Sequence, residues 1–136
     1  MSDIADTLTI SAAGMQVQGD RLRIVAENIA KADSTATTPG GDPYRRKTIT
    51  FQNVLDKQTG LETVKVAKRG LDKSAFQKKF DPNHPAADAQ GYVKYPNVDS
   101  IVEMMDMREA RRGYEANVNV VEVSKSMLMQ TINLLK

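Results

Sequence analysis

Two stripes of residues at a seven-residue spacing, one at each end of the chain, constrain its fold more than any other feature. Toward the C-terminus Met107, Tyr114, Val121, Leu128 and Leu135 recur every seventh residue, and Ala110, Asn117, Ser124 and Thr131 stand three places after the first four. Large apolar groups thus alternate with small ones along one seam. A seven-residue period drifts slowly around an α-helix, so such a stripe belongs to helices that wrap around one another. Toward the N-terminus Leu8, Met15, Leu22 and Ile29 repeat the pattern, with Ile4, Ser11, Gln18 and Val25 at the intervening places. The expected fold is therefore mainly α, with the long terminal helices forming an antiparallel coiled-coil hairpin.

The limits of both helices are legible. Ser2 or Asp3 can cap the first, which runs to about Ile29 or Ala30, where Asp33, Ser34 and a Thr-rich run take over. Tyr95-Pro96-Asn97 precedes the second. Proline biases the residue before it away from helix, and Asn97 or Asp99 can then cap the first free amides. A further stripe, Ile10, Val17 and Ile24, falls about 200° around the first helix from Leu8, Met15 and Leu22. A helix apolar on two opposed faces is buried between neighbours. The chain has only one other long helix, so neighbouring molecules are expected to cover that stripe.

Between residues 33 and 96 the character changes. Thr38-Pro39-Gly40-Gly41-Asp42-Pro43 is turn chemistry. Thr48–Phe51 and Thr63–Val66 alternate with period two and read as short half-buried strands, with Tyr92–Tyr95 a third candidate. The expected organisation is residues 1–32 as an N-terminal helix, 33–96 as a loop and short-strand insert, and 97–136 as a C-terminal helix. Tyr44 to Lys79 carries ten Lys/Arg against three Asp/Glu, although the whole chain is only +2. Arg45, Arg46, Lys47, Lys68, Arg69, Lys78 and Lys79 form a candidate partner-binding basic patch. Such a patch is a solvated face or a mating surface for an acidic neighbour, or it meets nucleic acid or acidic lipid head groups. No helix-turn-helix signal or interleaved aromatics accompany it, which favours the protein neighbour over nucleic acid.

Catalysis has little to work with. The chain has no cysteine and one histidine, His84, set in a turn between Asn83 and Pro85. A lone imidazole without a second ligand or paired carboxylate supports neither a metal site nor acid-base work. Asp99, Glu103 and Asp106 lie in the first turns of the second helix, where the helix dipole accounts for them. No phosphate loop or nucleophile elbow is present, so no enzyme, cofactor, metal or small-molecule substrate is expected. The first ten residues lack the charge pattern of a cleavable signal, and no apolar run approaches the roughly 20 residues that span a bilayer.

Ala26-Glu27-Asn28-Ile29-Ala30, Asn97-Val98-Asp99, Glu103-Met104 and Ala110-Arg111-Arg112-Gly113-Tyr114-Glu115-Ala116-Asn117 together resemble the paired terminal signatures of the bacterial flagellar rod and hook family. Within it, Gly41 to Lys47 and the run from Asp81-Pro82-Asn83-His84-Pro85 to Asn97 are similar to proximal-rod members. The resemblance covers almost the whole chain. It implies a structural subunit of the flagellar basal body, elongated and polymerised as a helical tube in the proximal part of the drive shaft that carries torque from motor to hook.

The resemblance further implies passage through the flagellar type III export apparatus without a cleaved signal, and a place in the periplasmic rod. Its implied partners are other copies of the chain, sibling rod proteins, and a membrane-supramembrane ring or rod-base adaptor protein. Ile10, Val17, Ile24, Asn28, Gly113, Glu115 and Asn117 are the expected subunit contacts. Two positions depart from the family pattern: Lys31 where an asparagine is common, and Gly113 where alanine often stands. A glycine inside a helix costs about 1 kcal/mol, so a close helix crossing is expected at Gly113. The competing reading is a soluble coiled-coil adaptor whose basic patch binds nucleic acid or acidic lipid.

Overall fold

The computed structural model describes residues 2–136. Two long helices, α1 (Ser2–Ala30) and α2 (Ser100–Leu134), bracket four strands, β1 (Lys47–Leu55), β2 (Glu62–Leu71), β3 (Gln77–Phe80) and β4 (Tyr92–Tyr95). The chain is mainly α with a small β-rich insert. α2 starts where Asp99 caps it: its Oδ1 accepts from the amide of Ile101 at 3.0 Å, and its carbonyl takes the amide of Glu103. α1 ends in a turn in which the amides of Lys31 and Ala32 donate to the carbonyls of Glu27 and Ile29.

The strands form two separate pairs, β1 with β2 and β3 with β4. The β1–β2 hairpin closes where the Asp56 amide donates to the Leu61 carbonyl at 2.8 Å, with Gly60 at φ 74°. β3 and β4 are antiparallel, in a register that sets Phe80 opposite Tyr92 and Gln77 opposite Tyr95. The Phe80 and Tyr92 rings meet edge to face at 5.3 Å. Gly91, at φ 87°, lies where a side chain would strike the Phe80 ring, so glycine is required there by conformation and by space.

β1 and β2 run several residues beyond the four-residue strands expected from alternation. β3 has no counterpart among those expectations. Gln77-Lys78-Lys79-Phe80 lacks apolar alternation and is exposed throughout, so its strand form depends on the pairing with β4.

The chain divides into two compact units. The first comprises residues through Leu22, Thr50–Lys68 and Arg108–Lys136. The second comprises Arg23–Ile49 and Arg69–Met107. Val25, Ala86, Val93 and Val98 give the second unit an apolar core, and its largest buried groups include Glu103 and Asn28. In the first unit Ser11, Val17, Ala110 and Ser124 are buried.

Candidate functional site

Four consecutive residues of the second unit, Tyr44 to Lys47, each take a different set of partners. The side-chain amide of Asn28, 1% exposed on α1, pairs with the main chain of Lys47 as a neighbouring strand would. Its Oδ1 accepts from the Lys47 amide at 2.9 Å and its Nδ2 donates to the Lys47 carbonyl at 3.0 Å. The same oxygen accepts from the Tyr44 hydroxyl at 2.7 Å. Burial pushes that phenol's pKa up. Lys47 Nζ reaches Glu27 at 2.8 Å; the bond holds the Glu27 carboxyl below its ordinary range and the Lys47 ammonium above its own.

Arg45 and Arg46 take the remaining directions. Arg45 Nη1 donates to the carbonyls of Asp72 and Ser74, both at 2.9 Å, and the guanidinium lies 4.1 Å over the Phe76 ring. The Arg46 amide donates to Asn97 Oδ1 at 2.8 Å, and Asn97 Nδ2 donates onward to Asp72 O and to Ser74. The Arg46 side chain binds Glu103 Oε1 and lies 3.5 Å from Asp72 Oδ2. Burial opposes the charge on Arg46, but the bond to Glu103 and the charges of Glu103 and Asp72 outweigh it and raise its pKa. Asp72 is held below the usual carboxylate range by the amide and hydroxyl of Ser74. Glu103 is 0% exposed, a carboxylate kept in the interior by its guanidinium partner.

This clasp changes several sequence expectations. Arg45, Arg46 and Lys47 are engaged within the chain rather than presented as a patch. Lys68, Arg69, Lys78 and Lys79 are exposed, Lys79 with its ammonium 4.6 Å above the Tyr95 ring. Asn28, expected at a subunit contact, binds the Tyr44–Lys47 segment of its own chain. Glu103 is an internal counter-ion rather than a solvated dipole partner, and of the two candidate caps only Asp99 serves, because Asn97 belongs to the clasp. His84 is a loop residue whose Nδ1 accepts from the Ala86 amide at 3.0 Å. Among the described residues no group of acidic or histidine side chains could hold a metal ion.

In the first unit the contacts between the helices follow a regular order. A side chain at Gly14 would come within 2.7 Å of the Asn117 amide, one at Gly113 within 3.2 Å of the Gln18 carboxamide, and Arg21 lies 3.4 Å from Glu109. Successive partners on α2 move backward as those on α1 move forward. Gly113 therefore does mark a close approach, and the group approaching it is Gln18 of the same chain. Asn117 Nδ2 also donates to the Gly113 carbonyl at 3.0 Å, which fixes its amide over Gly14.

The large apolar residues of the expected seam flank these contacts. Leu8, Met15, Leu22, Ile29, Met107, Tyr114, Val121 and Leu128 are half-buried, whereas Leu135 lies past the end of α2 and is 79% exposed. The buried positions of α1 include Ser11 and Val25, at the intervening places of the seam three residues after Leu8 and Leu22, and Gly14 beside Met15. Val17 and Ile24, expected to wait for a neighbour, are buried within the chain, while Ile10 and Glu115 remain exposed. A different face is open. Val120, Val123, Met127 and Leu134, at spacings of three, four and seven, form an exposed stripe along α2, with Met129 and Ile132 beside it. The sequence carries that spacing plainly, but the stronger alternation of large and small residues on the other face draws the eye first.

The comparisons with known proteins bear on the whole chain. The model of the flagellar basal body rod FlgEFG protein C-terminal family matches residues 89–134. The flagellar basal-body rod protein FlgC of Agrobacterium fabrum is 51% identical over 136 residues, covering 100% of this chain and 98% of that protein. The chain belongs to the flagellar basal-body rod protein FlgC family. It is a structural subunit of the flagellar basal-body rod. Similarity extends to the FlgC proteins of Salmonella typhimurium, 41% identical over 92% of both chains, and Bacillus subtilis, 37% identical over 94% of this chain and 95% of that one. No helix among the described residues is long and apolar enough to cross a membrane.

Proposed function

We propose that α1 and α2 form an antiparallel coiled-coil hairpin and that copies of the chain polymerise through it into a helical tube, the proximal part of the drive shaft between motor and hook. The reversed order of the cross-helix contacts supports the hairpin. The open stripe on α2 supports polymerisation, and it is the single observation that carries this reading. Burying a side chain of this size contributes about 1.5–3 kcal/mol, so the stripe suffices to drive association when repeated around a tube. The helical segments 1–32 and 97–136 build the inner layer, and residues 33–96 choose neighbours. Those neighbours are sibling rod proteins and a ring or rod-base adaptor. The chain reaches the periplasmic rod through the flagellar type III apparatus without a cleaved signal.

The experiment places aspartate in the open stripe. Val123→Asp with Met127→Asp leaves the thermal unfolding of the isolated chain unchanged and abolishes both rods on purified basal bodies and swimming in a strain lacking its own FlgC. Normal swimming by the double variant would refute assembly through this face. Exchanging residues 34–96 for a sibling's insert redirects placement along the rod; placement that follows the helices refutes the insert's role. The polyanion-binding alternative loses its main support because Arg45, Arg46 and Lys47 are held internally.

A further inference from the structure

The chain has no cysteine, so its only oxidisable sulfur is in its seven methionines. Among the described residues these fall into two groups. Met15 and Met107, both of the expected seam, are half-buried. Met104, Met105, Met127 and Met129 are 58%, 67%, 52% and 53% exposed, and all four belong to α2. Access decides which thioethers oxidise, because the oxidant must reach the sulfur.

Met127 differs from the other three in its surroundings. It stands seven residues after Val120, four after Val123 and seven before Leu134, within the open stripe of α2, and those three neighbours along the stripe are aliphatic. The Thr131 hydroxyl, one turn on, already donates to the Met127 carbonyl at 3.0 Å, so it has no proton to offer a new acceptor on the Met127 side chain. Met129, two residues on, is turned about 200° around the helix from Met127. Met104 and Met105 belong to the second unit.

We propose that Met127 is an oxidation site of the unassembled chain, and that its sulfoxide blocks association through the α2 stripe. The proposal rests on the polymerising reading above. The reagent is a two-electron oxygen-atom donor, of which hydrogen peroxide is the simplest. The Met127 sulfur attacks one peroxide oxygen, and the O–O bond breaks as the S–O bond forms. The departing hydroxide takes the proton of the transferred oxygen and leaves as water, so the sulfur is oxidised by two electrons and the peroxide reduced by two. The product carries a strong hydrogen-bond acceptor among aliphatic neighbours, and burying an acceptor without a donor opposes the contact. Once the stripe is covered, the oxidant no longer reaches the sulfur. Modification is thereby confined to the subunit before assembly, and reduction of the sulfoxide restores the stripe.

The test treats the full chain with hydrogen peroxide and maps the products by peptide mass spectrometry. In dilute protein Met127 is expected to oxidise about tenfold faster than Met15 and Met107. Treatment is expected to raise the concentration at which the chain associates in sedimentation velocity by about tenfold, with far-ultraviolet dichroism unchanged. Methionine sulfoxide reductases return the original value. Two variants are each compared with themselves before and after peroxide. Met127→Leu is expected to keep its own association, and a chain with Met104→Leu, Met105→Leu and Met129→Leu, which retains Met127, to lose it. Oxidation of Met127 no faster than that of Met15, or equal losses in the two variants, overturns the proposal.

A second measurement needs neither oxidant nor association of the isolated chain. In a strain lacking its own FlgC, Met127→Gln places a carboxamide where the sulfoxide would stand. It is expected to give about fivefold fewer rods than Met127→Leu; equal numbers overturn the proposal. The rod reading fails separately, when Val123→Asp with Met127→Asp swims normally. If that double variant lacks rods while Met127→Gln makes as many as Met127→Leu, only the oxidation site fails.

Discussion

The two units of this chain solve the problem of holding terminal helices in opposite ways. In the second unit, Glu27, Asn28 and Glu103 on the helices receive the polar side chains and main chain of Tyr44 to Lys47, and the buried carboxamide of Asn28 makes three hydrogen bonds to them. In the first unit the helix contacts run through Gly14, Gln18, Gly113 and Asn117, small or polar groups that remove little apolar area from water. Val120, Val123, Met127 and Leu134 of that part of α2 are exposed. The second unit is held by bonds within a single chain, whereas the first leaves an apolar stripe exposed, which the assembly proposed above would cover with neighbours. On that proposal stability and assembly are separated along the same pair of helices.

The largest expected effect breaks the second unit. Glu103→Ala leaves the Arg46 guanidinium without its buried counter-ion and costs about 3 kcal/mol, read as a shift in the urea midpoint. A loss below about 1 kcal/mol would mean that the clasp is not what holds this unit. Asn28→Ala is next, at about 2 kcal/mol, because it removes three hydrogen bonds and strands the main-chain groups of Lys47. Amide exchange sharpens the contrast between the units: in dilute protein the amides of Ser100 to Met107 are more protected than those from Arg108 onward. The reverse order would sink the division of labour.

Substitution of glycines tests the first unit. Gly14→Val pushes into an Asn117 amide already bonded to Gly113 O and costs about 1–2 kcal/mol. Gly19, in the same helix, has open space where a side-chain carbon would stand, with nothing within 4 Å, so Gly19→Ala stabilises by up to about 1 kcal/mol in the same urea assay. Equal effects at the two positions would show that α2 does not press on Gly14. The smallest effect is acid. Glu27 and Asp72 have lowered folded-state pKa values, so their contribution is full above the ordinary carboxylate range and is lost as pH falls through the lowered values, below about pH 4. Both carboxylates are near water, and the corresponding shift in unfolding midpoint is slight.

Periodicity carried most of the architecture. The end of α1, the cap of α2, the β4 strand and the close approach at Gly113 can each be read from residue spacing, turn signals or a single glycine. The clasp could not be read that way. Asn28, Arg46, Asn97 and Glu103 are far apart along the chain, each has a plausible local role in a helix or loop, and no local rule says that one polar side chain will find another 57 residues away. Arg45-Arg46-Lys47 looked like a solvent-facing patch because counting charges ignores the carboxylates that folding brings to them. The outward stripe on α2 was present as spacing, but choosing which face meets α1 requires knowing that Gly14 and Gly113 allow the helices to approach along their small residues.

The clasp also sets an order of events for a chain that emerges gradually, N-terminus first. Asn28 can take Tyr44 and Lys47 once a short loop has closed, since those partners are 16 and 19 residues apart. Arg45 waits for the carbonyls of Asp72 and Ser74, 27 and 29 residues on, and Arg46 for Glu103, 57 residues on. Each later bond is closed across a loop already shortened by the earlier ones, which lowers its entropic cost. Until Glu103 emerges, Arg46 has no buried counter-ion, and the chain stays short of its final fold until most of its length is out.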